Sequence, residues 1–210
     1  MTKVDKIKVD IDKYKYAKMF KRFVGQTNPC VCASGCFDIT NLYNRKSEHK
    51  LNAMLCYCIQ EAGQGIEEFH YIIDENHDLY YYKNVKTNAV VNGVDGTLYW
   101  PDFKYCKKFE DFEKEYNEKT EYSRTHCTHV KDVPGALLST SAIVNYPFTS
   151  FIIGKSDDFW DNFLMWGKYI IEGDKVKLNI TLRFHHAVID GEHAGMFFKE
   201  LQRQFDIFDC

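Results

Sequence analysis

From Val176 the chain alternates without a break. Val176, Leu178, Ile180, Leu182 and Phe184 share one parity, and Lys177, Asn179, Thr181 and Arg183 share the other. Side chains on a strand repeat every two residues, so this stretch predicts a strand with one buried face. If the strand continues, His186 falls on the buried parity and His185 on the polar one. Ile7, Val9 and Ile11 alternate and predict a first short strand. Tyr16, Met19, Phe20 and Phe23 follow helical spacing, and that helix should stop near Gly25, ahead of Asn28-Pro29. Val31, Ala33, Gly35, Phe37 and Ile39 share a strand parity. Leu51, Met54, Leu55, Cys58 and Ile59 form a helical stripe ended by Gly63 or Gly65. Residues 71–85 read as a hairpin with the polar turn Glu75-Asn76-His77-Asp78. Residues 86–107 are less regular. Phe109, Phe112 and Tyr116 begin an acidic amphipathic helix. Residues 137–144 and 148–153 predict strands. A second hairpin joins residues 168–171, through Glu172-Gly173-Asp174-Lys175, to the strand from Val176. Ala194, Phe197, Phe198, Leu201 and Phe205 form the apolar face of a last helix. Interleaved helices, strands and hairpins predict an α/β protein, as an α+β two-layer sandwich: one mixed sheet with helices packed on it, in one domain over residues 1–210.

Composition narrows the function. The chain has 210 residues, 45% hydrophobic and 16% aromatic, enough for one substantial core. A net charge of -3 gives no electrostatic case for nucleic acid. No apolar run reaches the roughly 18 residues of a membrane span. Met1-Thr2-Lys3-Val4-Asp5-Lys6 lacks the apolar core of a signal peptide, so the eight cysteines are expected as reduced thiols in a cytoplasmic protein. Cys30, Cys32 and Cys36 are expected as small buried thiols in a strand. The Cys30/Cys32 and Cys56/Cys58 pairs, and His126-Cys127-Thr128-His129, match no standard zinc spacing, and no metal is expected.

The candidate chemistry sits in His185-His186-Ala187-Val188-Ile189-Asp190-Gly191. A neutral imidazole titrates near pH 6.5 and can take a proton from a hydroxyl. On spacing alone the favoured reading is a hydrogen-bonded core histidine at His186, with Asp190-Gly191 merely a turn, because His-x-x-x-Asp is common by chance. The flanks decide. The run from Phe184 to Gly195, leading to Glu200-Leu201-Gln202, closely resembles the chloramphenicol acetyltransferase family. So do Trp166-Gly167-Lys168-Tyr169 with Gly173-Asp174-Lys175, and Ser141-Ala142 with Phe148-Thr149-Ser150-Phe151. The stretch from Tyr14 to Phe23 and Phe37-Asp38-Ile39-Thr40 resemble its opening helix and strand. The resemblance runs through nearly the whole chain in order.

That resemblance implies a CoA-dependent acyltransferase fold and an O-acetyltransferase (EC 2.3.1 class) that inactivates chloramphenicol, an antibiotic-resistance activity. Acetyl would move from acetyl-CoA, as co-substrate, directly to the acceptor hydroxyl. His186 would be the base, Ser141 the oxyanion donor, Asp190 a structural aspartate of the catalytic motif, and Lys168 a residue near the coenzyme. Phe23, Thr27, Pro29 and Val31 occupy the acceptor-contacting segment. The family is a homotrimer with sites between subunits; neither nucleic acid nor membrane is implied as a partner. Three departures stand out. Tyr16 replaces an arginine that pairs with the aspartate, leaving Tyr16, Arg22 or Arg183 as candidate partners of Asp190. Met165 replaces a water-holding threonine. The acceptor segment is altered, with Phe23 in place of a tyrosine and Val144-Asn145 in place of Pro-Trp. Two other readings compete: an acetyltransferase for a different hydroxylated acceptor, and a non-catalytic descendant that binds a small molecule or a protein. The catalytic domain of a 2-oxo acid dehydrogenase acyltransferase shares the histidine motif. It usually carries Asp-His-Arg where this chain has His185-His186-Ala187, and a lipoyl domain and Ala/Pro-rich linkers that are not read in this sequence.

Overall fold

The alternation from Val176 forms the hub of the molecule. In the computed structural model, which describes residues 6–131, 133–154 and 161–209, it is the strand Lys175–His185. In chain order the elements are β1 (Lys6–Lys8), α1 (Ala17–Phe23), β2 (Cys30–Asp38), α2 (Thr40–Asn44), α3 (Leu51–Gln64), β3 (Tyr71–Ile73), β4 (Leu79–Tyr82) and β5 (Val85–Asn88). They continue with β6 (Val91–Asn92), β7 (Leu98–Tyr99), β8 (Asp102–Phe103), α4 (Phe109–His126), β9 (Ala136–Ala142), β10 (Asn162–Trp166), β11 (Ile170–Glu172), β12 (Lys175–His185) and α5 (Gly191–Ile207). The residues read for a leader, up to Asp5, lie outside the described ones.

β12 pairs antiparallel with β2, β10 and β11. β10 runs parallel to β9 and β9 parallel to β5, and β8 closes the far edge antiparallel to β5. The sheet is mixed, as the interleaving of hairpins and helices predicts. β1, β4 and β3 form a separate small sheet, and β6 pairs with β7. Val176, Leu178, Ile180, Leu182 and Phe184 are all buried, on the face covered by α3 and α5. α3 approaches closely because of Gly63: a Cβ there would stand 2.6 Å from Cδ1 of Leu138 on β9. Asp38 and Gln202 lock the layers together. Gln202 bonds the Asp38 backbone in both directions, and Lys175 Nζ lies 2.8 Å from the Asp38 carboxylate. That lysine, with Thr40, holds the Asp38 carboxyl at about 2.

Several expectations change. β12 ends at His185, so His186 is not on a strand. His185, with Thr181 and Arg183, is buried on the polar parity. The cause is the segment 148–153, expected as a strand, which instead crosses that face without joining the ladder. Phe151 N–H donates to Thr181 Oγ1, Asn179 donates to the Phe148 carbonyl, and Arg183 donates to the Gly154 carbonyl. Side chains of β12 supply partners that a neighbouring strand would otherwise provide. The hairpin expected over 71–85 ends at Tyr82, and Val85 starts a strand of the main sheet. Cys32 and Cys36 are exposed and Cys30 is half-buried, on β2, which among the described strands pairs with β12 alone. Among the described residues, no helix is long and apolar enough to cross a membrane.

Candidate active site

Where β12 ends, the chain turns and is anchored by backbone bonds. His186 N–H donates to the Pro29 carbonyl at 2.9 Å, and the Val188 and Ile189 N–H groups return to the His185 carbonyl. The His186 ring is oriented by one polar contact, Nδ1 to the Ile189 carbonyl at 3.2 Å. A carbonyl only accepts, so Nδ1 carries the proton and Nε2 of the neutral ring keeps its lone pair. Phe23 stacks on the imidazole at 4.3 Å and 19°. Nε2 belongs to a half-buried ring beside an apolar cavity of about 270 Å³, lined by Val31, Ala33, Phe184, Ala194 and Phe198 among others. His185 is the buried neighbour, and its Nδ1 accepts from Ala187 N–H.

Asp190 is the N-cap of α5. Its carboxylate accepts from the Glu192 and His193 N–H groups at 2.9 and 3.1 Å. It also sits 2.9 Å from Nδ1 of His193, the group that answers the pairing question raised by the sequence. Tyr16 meets that same histidine, not the aspartate, with its hydroxyl 3.2 Å from Nε2. Glu68, itself held by Lys15 at 2.8 Å, approaches Nε2 at 3.4 Å. Neither arginine substitutes: Arg22 lies over the Phe23 ring, and Arg183 spans the carbonyls of Gly154 and Asp161. Asp190 thus fixes the start of α5 and the turn before it. His193 was visible in the sequence as part of the motif, but its role depends on partners far away in the chain.

The predicted acceptor segment divides. Phe23 and Val31 lie at His186, and Pro29 contributes its carbonyl to the His186 turn. Thr27 is exposed. Lys168 is exposed at the rim of a second, mainly apolar cavity of about 260 Å³, beside Leu51, Leu55, Trp166, Tyr169 and Leu178. Gly167 permits the chain crossing there, since a Cβ would stand 2.7 Å from the Tyr146 carbonyl oxygen and 2.8 Å from Phe148 N.

Ser141 lies near the end of β9, half-buried, on the face opposite α3. It is not brought to His186. Ser141 aligns with Met165, and Met165 with Thr181, four residues before His185. At about 3.3 Å per residue and about 4.8 Å per strand, the end of β12 is roughly 16 Å from Ser141. The altered position, Met165, therefore sits between two hydroxyls, those of Ser141 and Thr181.

Sequence reading missed a polar cluster on the same face as Ser141. Lys86 Nζ contacts Asp102 Oδ2 at 2.6 Å and the Val133 carbonyl at 2.9 Å. Asp161 lies alongside, and burial raises its carboxyl to about 6 despite Lys86. The one signal was a Lys and an Asn alternating within Val85–Asn88, in a stretch too irregular to assign.

A family model described as chloramphenicol acetyltransferase matches residues 4–202. Chloramphenicol acetyltransferase 2 of Escherichia coli is 30% identical over 176 residues, covering 80% of this chain and 82% of that protein. A chloramphenicol acetyltransferase of Campylobacter coli is 27% identical over 206 residues, covering 93% and 96%. Among solved structures, a chloramphenicol acetyltransferase superposes with a TM-score of 0.81 at 21% identity, over 95% of this chain and 99% of that one. A dihydrolipoamide acetyltransferase of Azotobacter vinelandii gives 0.70 at 20% identity, over 91% and 86%.

Proposed function

Because the chain belongs to the chloramphenicol acetyltransferase family, and so is an acetyltransferase, we propose that it moves acetyl from acetyl-CoA to an acceptor hydroxyl, with His186 as general base. The observation that carries this is the ring geometry: Nδ1 is committed to the Ile189 carbonyl and Nε2 is left as the only nitrogen able to accept a proton. In this reading Nε2 takes the hydroxyl proton as the oxygen attacks the thioester carbonyl. Ser141 Oγ–H donates to the oxygen that becomes negative. The C–S bond then breaks, and the imidazolium returns its proton to the departing thiolate. No acyl-enzyme is required. Phe23, flat against the imidazole, limits its rotation and excludes water from one side.

Coenzyme A combines a flexible, largely apolar arm with phosphates. The groove beneath Lys168 suits both, with Leu51, Leu55 and Leu178 for the arm and the exposed ammonium for a phosphate. Lys46, over the Tyr43 ring and near Tyr169, adds a second cation close by.

The separation of Ser141 from the end of β12 supports a reacting centre built from two copies of the chain, in a homotrimer. Chloramphenicol, the compound in the relatives' names, is the first acceptor to try. The test is thiol release from acetyl-CoA. His186→Ala is expected to lower kcat at least 100-fold, the usual contribution of a positioned base. Ser141→Ala is expected to lower it about 100- to 1,000-fold with little change in KM, as for a lost oxyanion donor. A His186→Ala protein that keeps a tenth of the rate would remove His186 as the base.

A further inference from the structure

The face of the sheet that carries Ser141 also carries a recess with a polar cluster, a cavity of about 540 Å³. Ser139 lines it, two residues before Ser141 on the same face of β9. At about 3.3 Å per residue, the recess begins within about 7 Å of the proposed oxyanion donor. Its lining mixes Ile72, Tyr82 and Leu137 with a cluster of polar and charged groups. Lys86 and Asp102 form a nearly buried ion pair, with side chains 13% and 3% exposed. Asn88 donates to Ser139 Oγ at 3.4 Å, and Asp161 closes the wall. Asp102 Oδ1 has no hydrogen-bond partner among the described residues. At the mouth Trp100 stacks on His129 at 5.1 Å and 13°, a flat aromatic plate facing polar groups.

An apolar acceptor in this recess would strip water from Lys86, Asp102 and Asp161 and return nothing. A hydroxyl both donates and accepts, so it can satisfy a carboxylate and a lysine side by side. Several hydroxyls on one ring match several such groups, and the ring's C–H face can lie on the indole. We propose that the acceptor of this enzyme is a polyhydroxylated, sugar-like compound, held by Lys86, Asn88, Asp102 and Asp161 against Trp100, with one hydroxyl presented at Ser141. This rests on the acetyl-transfer reading and names its substrate class.

The test separates the two. Full-length protein is assayed by thiol release with chloramphenicol and with a panel of pyranosides and sugar alcohols. Binding is followed in parallel by tryptophan fluorescence on His186→Ala protein, whether or not chemistry occurs, with Trp100→Phe added to separate the recess signal from that of Trp160 and Trp166. At least one polyol is expected to exceed chloramphenicol about tenfold or more in kcat/KM, since a site built for hydroxyls discriminates strongly. Asp102→Asn is expected to weaken polyol binding by a similar factor. Because that change strands Lys86, the double variant Lys86→Met/Asp102→Leu removes both charges together, a replacement that buried pairs usually tolerate. It should shift preference toward chloramphenicol at least tenfold. Chloramphenicol outperforming every polyol, or a preference unchanged in the double variant, overturns the substrate class and leaves acetyl transfer standing. Polyol binding that Asp102→Asn abolishes, with no His186-dependent thiol release, keeps the substrate class and overturns acetyl transfer.

Discussion

Asp190 shows how a single residue can be read correctly for the wrong contact. Tyr16, Arg22 and Arg183 are its expected partners, yet the carboxylate is spent on the first turn of α5 and on His193. The imidazole of His193 stands between Asp190 and Glu68, and Tyr16 adds its hydroxyl. Tyr16→Phe deletes one hydrogen bond and should cost about 1 kcal/mol in denaturant unfolding. His193→Ala leaves buried Glu68 to Lys15 alone and removes the Nδ1 that accepts from Asp190 N–H at the start of α5, and should cost about 2–3 kcal/mol. A Tyr16→Phe loss equal to that of His193→Ala would show that the hydroxyl, not the imidazole, holds the cluster. The motif around His186 was legible because it is contiguous. The cluster around His193 was not, since Tyr16 arrives from the approach to α1 and Glu68 from the turn after α3, and no local pattern records that meeting.

At the level of elements, periodicity carried furthest where one face alone decides the pattern. Apart from the half-buried Leu51 and Phe198, the stripes of α3 and α5 and the apolar parity of β12 are buried as they read. It failed where a polar face is buried as well. Thr181 and Arg183 look like solvent-facing positions, but residues 148–154 cross above them and take their hydrogen bonds. The same crossing makes Gly167 exacting. A methyl there meets backbone atoms of Tyr146 and Phe148, which cannot rotate away. Gly167→Ala is expected to destabilise by about 1–3 kcal/mol and to raise KM for acetyl-CoA through the neighbouring Lys168. Gly63→Ala serves as the contrast. Its nearest obstacle is the mobile end of the Leu138 side chain, and a helix interior gains about 1 kcal/mol from alanine over glycine, so its net loss should be smaller. Equal losses at the two sites would refute this account. Strand β5 was hidden for a different reason: four residues with Lys and Asn on one parity give no hydrophobic signal, although both side chains are largely buried.

For the whole molecule, the register of the main sheet sets the governing distance. The proposed base at the end of β12 and the proposed donor on β9, roughly 16 Å apart, cannot serve one reacting centre from one chain. Co-expressing His186→Ala and Ser141→Ala chains should therefore restore activity that neither has alone. With random assembly, about a quarter of sites pair an intact histidine with an intact serine. Purified mixed assemblies at about 25% of wild-type kcat would fit; activity no higher than the single variants would rule out a shared centre. The same geometry changes what a gene is worth to the cell that carries it. Two defective alleles, each silent alone, would complement one another in a single cell. A doubly defective allele beside an intact one would yield the same quarter of working sites, not the half expected of independent enzymes. Dominance here would follow from the length of a β-strand.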